Sequence, residues 1–344
     1  RPVEVGHWIT DPQAGGNRWV IKRGLQAGEG ITLALTFEPG IFTPYQFSWW
    51  ELYFGYLWLL IPLITGIFLY RLWQKHGDDP EWDKPTIPEY EIPAGLNALT
   101  MGSLLKNGRI VSEHVTAALI ELAVKGVITI RKETEKILFF DREEFVLEKH
   151  MPAGFVATAE QAKLLDKVFE TGESVKLSDL KRKFHPVLSE LTKLSLDSLA
   201  QAGFIERKSF TYRTILLGIG LGGIFLFGFF GGLGWQAVTA LALTTALFIL
   251  FGILIPKRTQ LGVETYAKLK GLKLYMETAE KYRQRFYEKE GIFETLLPVA
   301  ILFGMTKEWI RKMEELYGTE YFAKYHPAWF VGSFDGNFNG ESFT

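Results

Sequence analysis

The sequence predicts an α+β membrane protein. Three transmembrane helices, one single span and one hairpin, carry cytoplasmic winged-helix-like modules and the remnant of an extracytoplasmic β-sandwich-type domain. Three observations predict this. Apolar residues collect in three blocks without a charge, Leu52–Tyr70, Thr214–Phe230 and Trp235–Ile255. Basic residues flank those blocks at one end only. Between the first block and the second, a helical stripe followed by a glycine and a β-rich run occurs twice.

At about 1.5 Å per helical residue the first block is about 28 Å long, close to the ~30 Å of bilayer hydrocarbon. Pro62 falls mid-span, where a kink is tolerated. The second and third blocks are joined only by Gly231-Gly232-Leu233-Gly234, a link so short that it forces an antiparallel hairpin. Pro256, Lys257 and Arg258 stop the third. Arg71 and Lys75 follow span one, Arg207, Lys208 and Arg213 precede span two, and Lys257 and Arg258 follow span three, whereas Gly24–Trp50 holds no Lys or Arg. Positive residues stay on the cytoplasmic side. The expected topology in a bacterial plasma membrane therefore has the amino end outside and residues 71–213 and 257–344 in the cytoplasm. Trp49, Trp50 and Trp235 then lie at the outer boundary.

The expected domains are 1–48, the C-terminal part of the extracytoplasmic β domain; 49–73, the first span; 74–95, a proline-rich linker; 96–208, two winged-helix-like modules; 209–256, the hairpin; 257–325, C-terminal helices; and 326–344, a tail. Residues 31–37 alternate as a half-buried strand. One strand in so short a stretch implies that the chain begins inside a larger β domain. Pro80, Pro85, Pro88 and Pro93 forbid a helix in the linker. In the first module Val115, Ala118, Leu119 and Leu122 form one helical stripe, Gly126 ends the helix, and 127–131 and 136–140 read as strands around a turn at Lys132–Glu135. Its exposed side is expected to carry Glu113, Thr116, Glu121 and Lys125. In the second, Thr158 and Gln161 form a capping box for a helix through Glu170. A short helix near 177–183, a longer one from Pro186 to Ala202, Gly203 as terminator and a strand at Phe204–Lys208 follow.

After span three, a long amphipathic helix is expected to about Glu290, with Leu269, Leu272, Met276 and Ala279 on one stripe. Phe293–Phe303 is apolar but too short to cross a membrane, so it reads as a buried helix. Thr306 is expected to cap a last helix through Tyr317.

An ordered set of motifs carries a family resemblance. Gly77-Asp78-Asp79-Pro80 follows a span and precedes Pro88, Tyr90, Pro93 and Gly95-Leu96. The run 118–130, then Gly262-Val263-Glu264, 269–280, 296–304 and Pro327 with Trp329 complete the set. With these the chain resembles the YciQ-like predicted membrane proteins, a bacterial family of unknown function, over essentially its whole length. The resemblance implies a secretory signal, an extracytoplasmic β-rich domain, a span, a cytoplasmic region, a hairpin and a glycine-rich tail. It implies no catalytic residue.

Composition narrows the chemistry. The 344 residues hold 38 Lys and Arg against 39 Asp and Glu, a net charge of −1, which excludes a generally basic nucleic-acid coat. Cysteine is absent, which excludes disulfides, thiolate metal centres and cysteine nucleophiles. Gly218-x-Gly220-x-x-Gly223 matches the dinucleotide fingerprint as a string, but it lies inside a span with no strand before it. The better reading of the same stretch is helix packing through the GxxxG pairs Gly218/Gly222 and Gly228/Gly232, within the hairpin or against another copy. His76, Asp78 and Asp79 make the nearest approach to a ligand cluster and read as a solvated turn. Lys181, Arg182 and Lys183 form the one basic cluster of the modules, suited to anionic lipid or to a partner.

The expected function is a non-enzymatic scaffold or signalling adaptor that couples an outer β domain to a cytoplasmic winged-helix-like unit. It needs no cofactor and no metal, and no small-molecule substrate is identified. Its partners are membrane lipid and either a protein or another copy of itself, with nucleic acid disfavoured by the charge balance. The alternatives are a membrane-tethered DNA-binding regulator and a membrane-bound enzyme whose site lies in an N-terminal region outside this sequence.

Overall fold

The computed structural model describes residues 6–11, 16–21, 38, 41, 48–137, 140–181, 184–230, 234–278, 291–318 and 327–331. The chain divides into two compact units, Arg1–Phe54 and Gly55–Thr344. In the first, β1 (Gly6–Asp11) and β2 (Gly16–Ile21) pair antiparallel from Gly6↔Ile21 to Asp11↔Gly16, and α1 spans Trp49–Phe54. The strand expected at 31–37 lies outside the described residues.

In the second unit, three helices are long and apolar enough to cross a membrane, at Gly55–His76, Arg207–Leu226 and Trp235–Leu254. The first opens as a 3-10 turn, Gly55–Leu59, and continues as α2, Leu60–His76. Pro62 lies inside this span, the third residue of α2 and just after the 3-10 turn. The hairpin is α8 (Arg207–Phe230) and α9 (Trp235–Leu254). Leu63, Ile64, Ile67, Ile219, Leu221, Phe225, Leu250 and Ile253 stay exposed along the three helices, a band that lipid alone can satisfy. At their basic end, Leu69, Leu216 and Ile255 form a small core of their own.

The remainder shares one hydrophobic core. Helices α3 (Ala98–Leu105) and α4 (Ser112–Val124) are followed by the hairpin β3 (Ile128–Ile137) and β4 (Phe140–Lys149). Then come α5 (Ala159–Val168), β5 (Ser174–Lys176), α6 (Leu177–Lys181) and α7 (Phe184–Gln201). Beyond the hairpin lie α10 (Gln260–Glu277), α11 (Ile292–Leu302), α12 (Thr306–Tyr317) and β6 (Phe330–Val331). The core draws on Leu99, Ile120, Leu147, Leu164, Leu191, Leu272, Leu297 and Trp309 alike. A single sheet of order β5-β4-β3-β6 runs through it, with β6 parallel to β3.

Several expectations need correction. The turn of the β3–β4 hairpin is not at Lys132–Glu135, because the strands pair out to Ile137↔Phe140. The charged run is strand, paired residue by residue with β4. Helix α4 has no broad solvent face. Thr116 is buried and Glu121 partly buried, since both α3 and α11 pack on α4 and Glu121 accepts from the Ala98 N–H; Glu113 and Lys125 stay exposed. Phe204–Lys208 is not a strand: Ile205 makes a single bridge to Arg258, and α8 begins at Arg207. Thr306 is the first helical residue of α12, not its cap; Met305 holds that position without a side-chain bond. Helix α10 ends at Glu277, and residues 279–290 lie outside the described residues.

Other local signals act as read. The Thr158–Gln161 capping box is formed in both directions, and a second joins Asn97 and Thr100 at α3. Gly126 and Gly203 take positive φ, +74° and +79°, immediately after α4 and α7. Residues 78–97 contain no helix or strand.

Candidate functional site

All three apolar helices end on one polar cluster. Arg258, two residues after Pro256, is its centre. Its backbone N–H donates to Asp79 Oδ1 at 2.6 Å and its Nη1 to Asp79 Oδ2 at 3.0 Å. Its Nη2 donates to Asn107 Oδ1 at 2.6 Å and to the Leu104 carbonyl at 3.2 Å. The guanidinium lies over the Tyr266 ring, 4.2 Å from the centroid. A planar fork with its donors set apart spans these acceptors; a lysine ammonium is a compact point charge without that reach.

Neighbouring residues close the chain around that centre. Glu206 N–H donates to the Lys257 carbonyl, Thr259 N–H to the Phe204 carbonyl, and Lys257 N–H to Ser209 Oγ. The segment entering α8 is therefore stitched to the segment leaving α9. Thr259 caps α10 by accepting from Gly262 N–H at 3.1 Å. Gly262 is required there, because a Cβ would overlap the Phe204 carbonyl. Helix α2 joins through Gly77, where a Cβ would lie 3.0 Å from Ile255 Cα, and through His76 Nδ1, 3.8 Å from Glu206. Asp79 is thus committed to Arg258, and among the described residues no group of three His, Cys, Asp or Glu could hold a metal ion.

Asn107 is the hinge between this cluster and a cleft beside it. It lies in the Lys106–Arg109 turn between α3 and α4 with φ 49°, a left-handed conformation that asparagine tolerates. Its carbonyl accepts from Arg213 Nη1 at 2.8 Å. The cleft, about 600 Å³, is lined by Lys106, Arg109 and Arg213, by Glu113 and His114 of α4, and by Ile253 and Pro256 at the end of α9. His114 is 1% exposed, its ring lies against Gly102, and its Nδ1 has no hydrogen-bond partner. Burial, partly offset by Glu113, pushes its pKa down to about 4, so the ring is neutral at physiological pH.

The family model for the C-terminal domain of the DUF2207 predicted membrane proteins matches residues 86–313. The chain belongs to this DUF2207 family. The YciQ-like resemblance agrees with that membership. No curated protein and no solved structure matches. Within the DUF2207 match lie Asn107, Arg213 and Arg258; Asp79 precedes it.

The residues singled out from the sequence lie elsewhere on the DUF2207 chain. Lys181 closes α6, while Arg182 and Lys183 lie outside the described residues. Gly218 and Gly222 face open space and do not pack the hairpin. Its close contacts are Gly220, where a Cβ would lie 2.7 Å from Ile249, Gly223 against Thr245, and Gly252, where one would lie 2.9 Å from Leu217. The surroundings of Gly228, like Gly232 itself, lie outside the described residues. Arg258 was read from the sequence only as a flanking charge. The one local signal near the cleft is the Asn107-Gly108 pair, a turn marker.

Proposed function

We propose that this DUF2207 protein is a membrane scaffold or signalling adaptor. In it the three spans and the helical body on their basic side act as one coupled piece. The observation that supports this best is the Arg258 cluster, which ties the ends of α2, α8 and α9 to the turn between α3 and α4. On this reading the amino end is extracytoplasmic and the body cytoplasmic, as the basic flanks favour. The body's outer face then meets a partner protein or a second copy of the chain. Crosslinking mass spectrometry of the full chain in its native membrane tests this. Recurrent links from Lys268 or Lys273 to one other protein, or to another copy, are expected. Intramolecular links alone would overturn the proposal.

A second reading follows from the order of β5-β4-β3. On this reading a hairpin, a helix, a short strand and two further helices, with the short strand beside the second strand of the hairpin, serve as a winged-helix-like unit whose wing precedes its helices. The unit is then counted once, since β5 joins the β3–β4 hairpin. As a DNA reader it would use α7, whose partly or fully exposed positions include Glu190 and Asp197 beside Lys193. A protein-contact role fits that mixed surface better. Duplex binding by the full chain in nanodiscs, steeply weakened by salt, would favour the regulator instead.

A further inference from the structure

We propose that the cleft beside Asn107 binds a phosphate group, supplied by the headgroup of an anionic membrane lipid. The argument starts from a contrast in charge. At the basic end of the spans, Arg207, Lys257 and Arg258 each face a carboxylate, respectively Asp197, Glu206 and Asp79. Lys106, Arg109 and Arg213 converge on the cleft a few residues away, and among the described residues none of them forms an ion pair. Among the described residues Glu113 is the only acidic one on the wall, so the cleft keeps a cationic surplus.

His114 lines the wall as a neutral ring, its Nδ1 turned against Gly102 of α3 rather than open to the cleft. A further feature points to an anion. Helix α4 begins at the same wall behind Val111, which supplies no side-chain cap. The first-turn amides and the positive end of the helix dipole are therefore directed to this side. A phosphodiester headgroup suits the set because its two free oxygens share one negative charge that two guanidinium groups and an ammonium can donate to.

The apolar wall decides the source. Ile253 and Pro256 end α9, and Ile253 is continuous with Leu250 and Leu254 on the exposed apolar face of that helix. A headgroup in the cleft would leave its acyl chains along a surface that already requires lipid, at the level where basic residues meet the anionic leaflet.

The test is native mass spectrometry of the full chain, released from nanodiscs containing phosphatidylglycerol or phosphatidylcholine. Retention of phosphatidylglycerol over phosphatidylcholine is expected, and Arg109→Gln combined with Lys106→Gln should lower it about tenfold. Neither side chain supports the fold by an ion pair, so the double variant should melt like the parent. Lys268→Gln, an exposed change on α10, should have no effect. The His114 imidazole supplies a second readout, since its NMR shifts should move on adding phosphatidylglycerol and not on adding phosphatidylcholine. Displacement of the lipid by millimolar inorganic phosphate would keep the phosphate site and assign it to a free ligand. Equal retention by parent and double variant, with His114 unmoved, would overturn the proposal.

Discussion

Arg258 holds Asp79 twice, once through its backbone N–H and once through its guanidinium, across 179 positions of sequence. The backbone donor makes the contact insensitive to which side chain follows Lys257. The guanidinium makes it specific, because the same group also satisfies Asn107 and the Leu104 carbonyl.

Arg258→Gln should therefore cost more than Asp79→Asn. The first leaves three acceptors without their donor, while the second keeps a neutral oxygen for the backbone N–H. We expect about 2–3 kcal/mol against about 1 kcal/mol, read as thermal melting of the detergent-solubilised chain by tryptophan fluorescence. Equal losses would show that the guanidinium contributes little.

The hairpin should distinguish its glycines. Gly252→Val and Gly220→Val push α8 and α9 apart and should each destabilise by about 1–3 kcal/mol. Gly218→Val and Gly222→Val, which meet open space, should leave the monomer unchanged. Any loss of self-association in those two variants, measured by single-molecule photobleaching in nanodiscs, would place a second copy on that face.

Acid should loosen the body through His114. Its folded pKa of about 4 lies below the unfolded value of 6.5, so the unfolded chain binds the proton first. The contribution is complete above about pH 6.5 and is lost as pH falls toward 4. A shift of that size corresponds to about 3 kcal/mol. Glu113 draws the pKa upward, while Lys106 opposes protonation; the cleft's Arg109 and Arg213 lie on the same side as Lys106. His114→Gln should flatten the melting profile between pH 6.5 and 4.

Gly271 on α10 lies against the Ile87 carbonyl, and a Cβ there would overlap that oxygen. Gly271→Ala should lift residues 85–90 from the helix and expose them to limited proteolysis, with little change in helix content. Resistance equal to the parent would show that the segment is held elsewhere.

The spans were legible because lipid leaves one simple requirement, an uninterrupted apolar stretch of fixed length. The caps at Thr158 and Gly203 were legible because their chemistry is local. What escaped depends on distant partners. The Lys132–Lys136 run looks like a turn until the opposite strand is paired with it. The stripe of α4 looks one-sided until both α3 and α11 pack on it. Gly218 and Gly222 fit the packing motif in sequence and Gly220 and Gly223 do not, yet the rotation of α8 about its axis turns the second pair toward α9. Nothing near Arg258 in the chain announces Asp79 or Asn107.

The segment from Gly77 to Asn97 behaves as a ruler. It is fastened at Asp79 to Arg258, at Ile87 against Gly271, at Tyr90 edge-on to Tyr275 with centroids 4.9 Å apart, and at Asn97 to Glu160 at 2.6 Å. Four prolines between those fastenings hold their φ angles near one value and keep the stretch from coiling up. The distance from the end of α2 to α5 is therefore set by a count of residues. A single inserted residue between two fastenings has no slack to enter, and must bulge outward or break one of them.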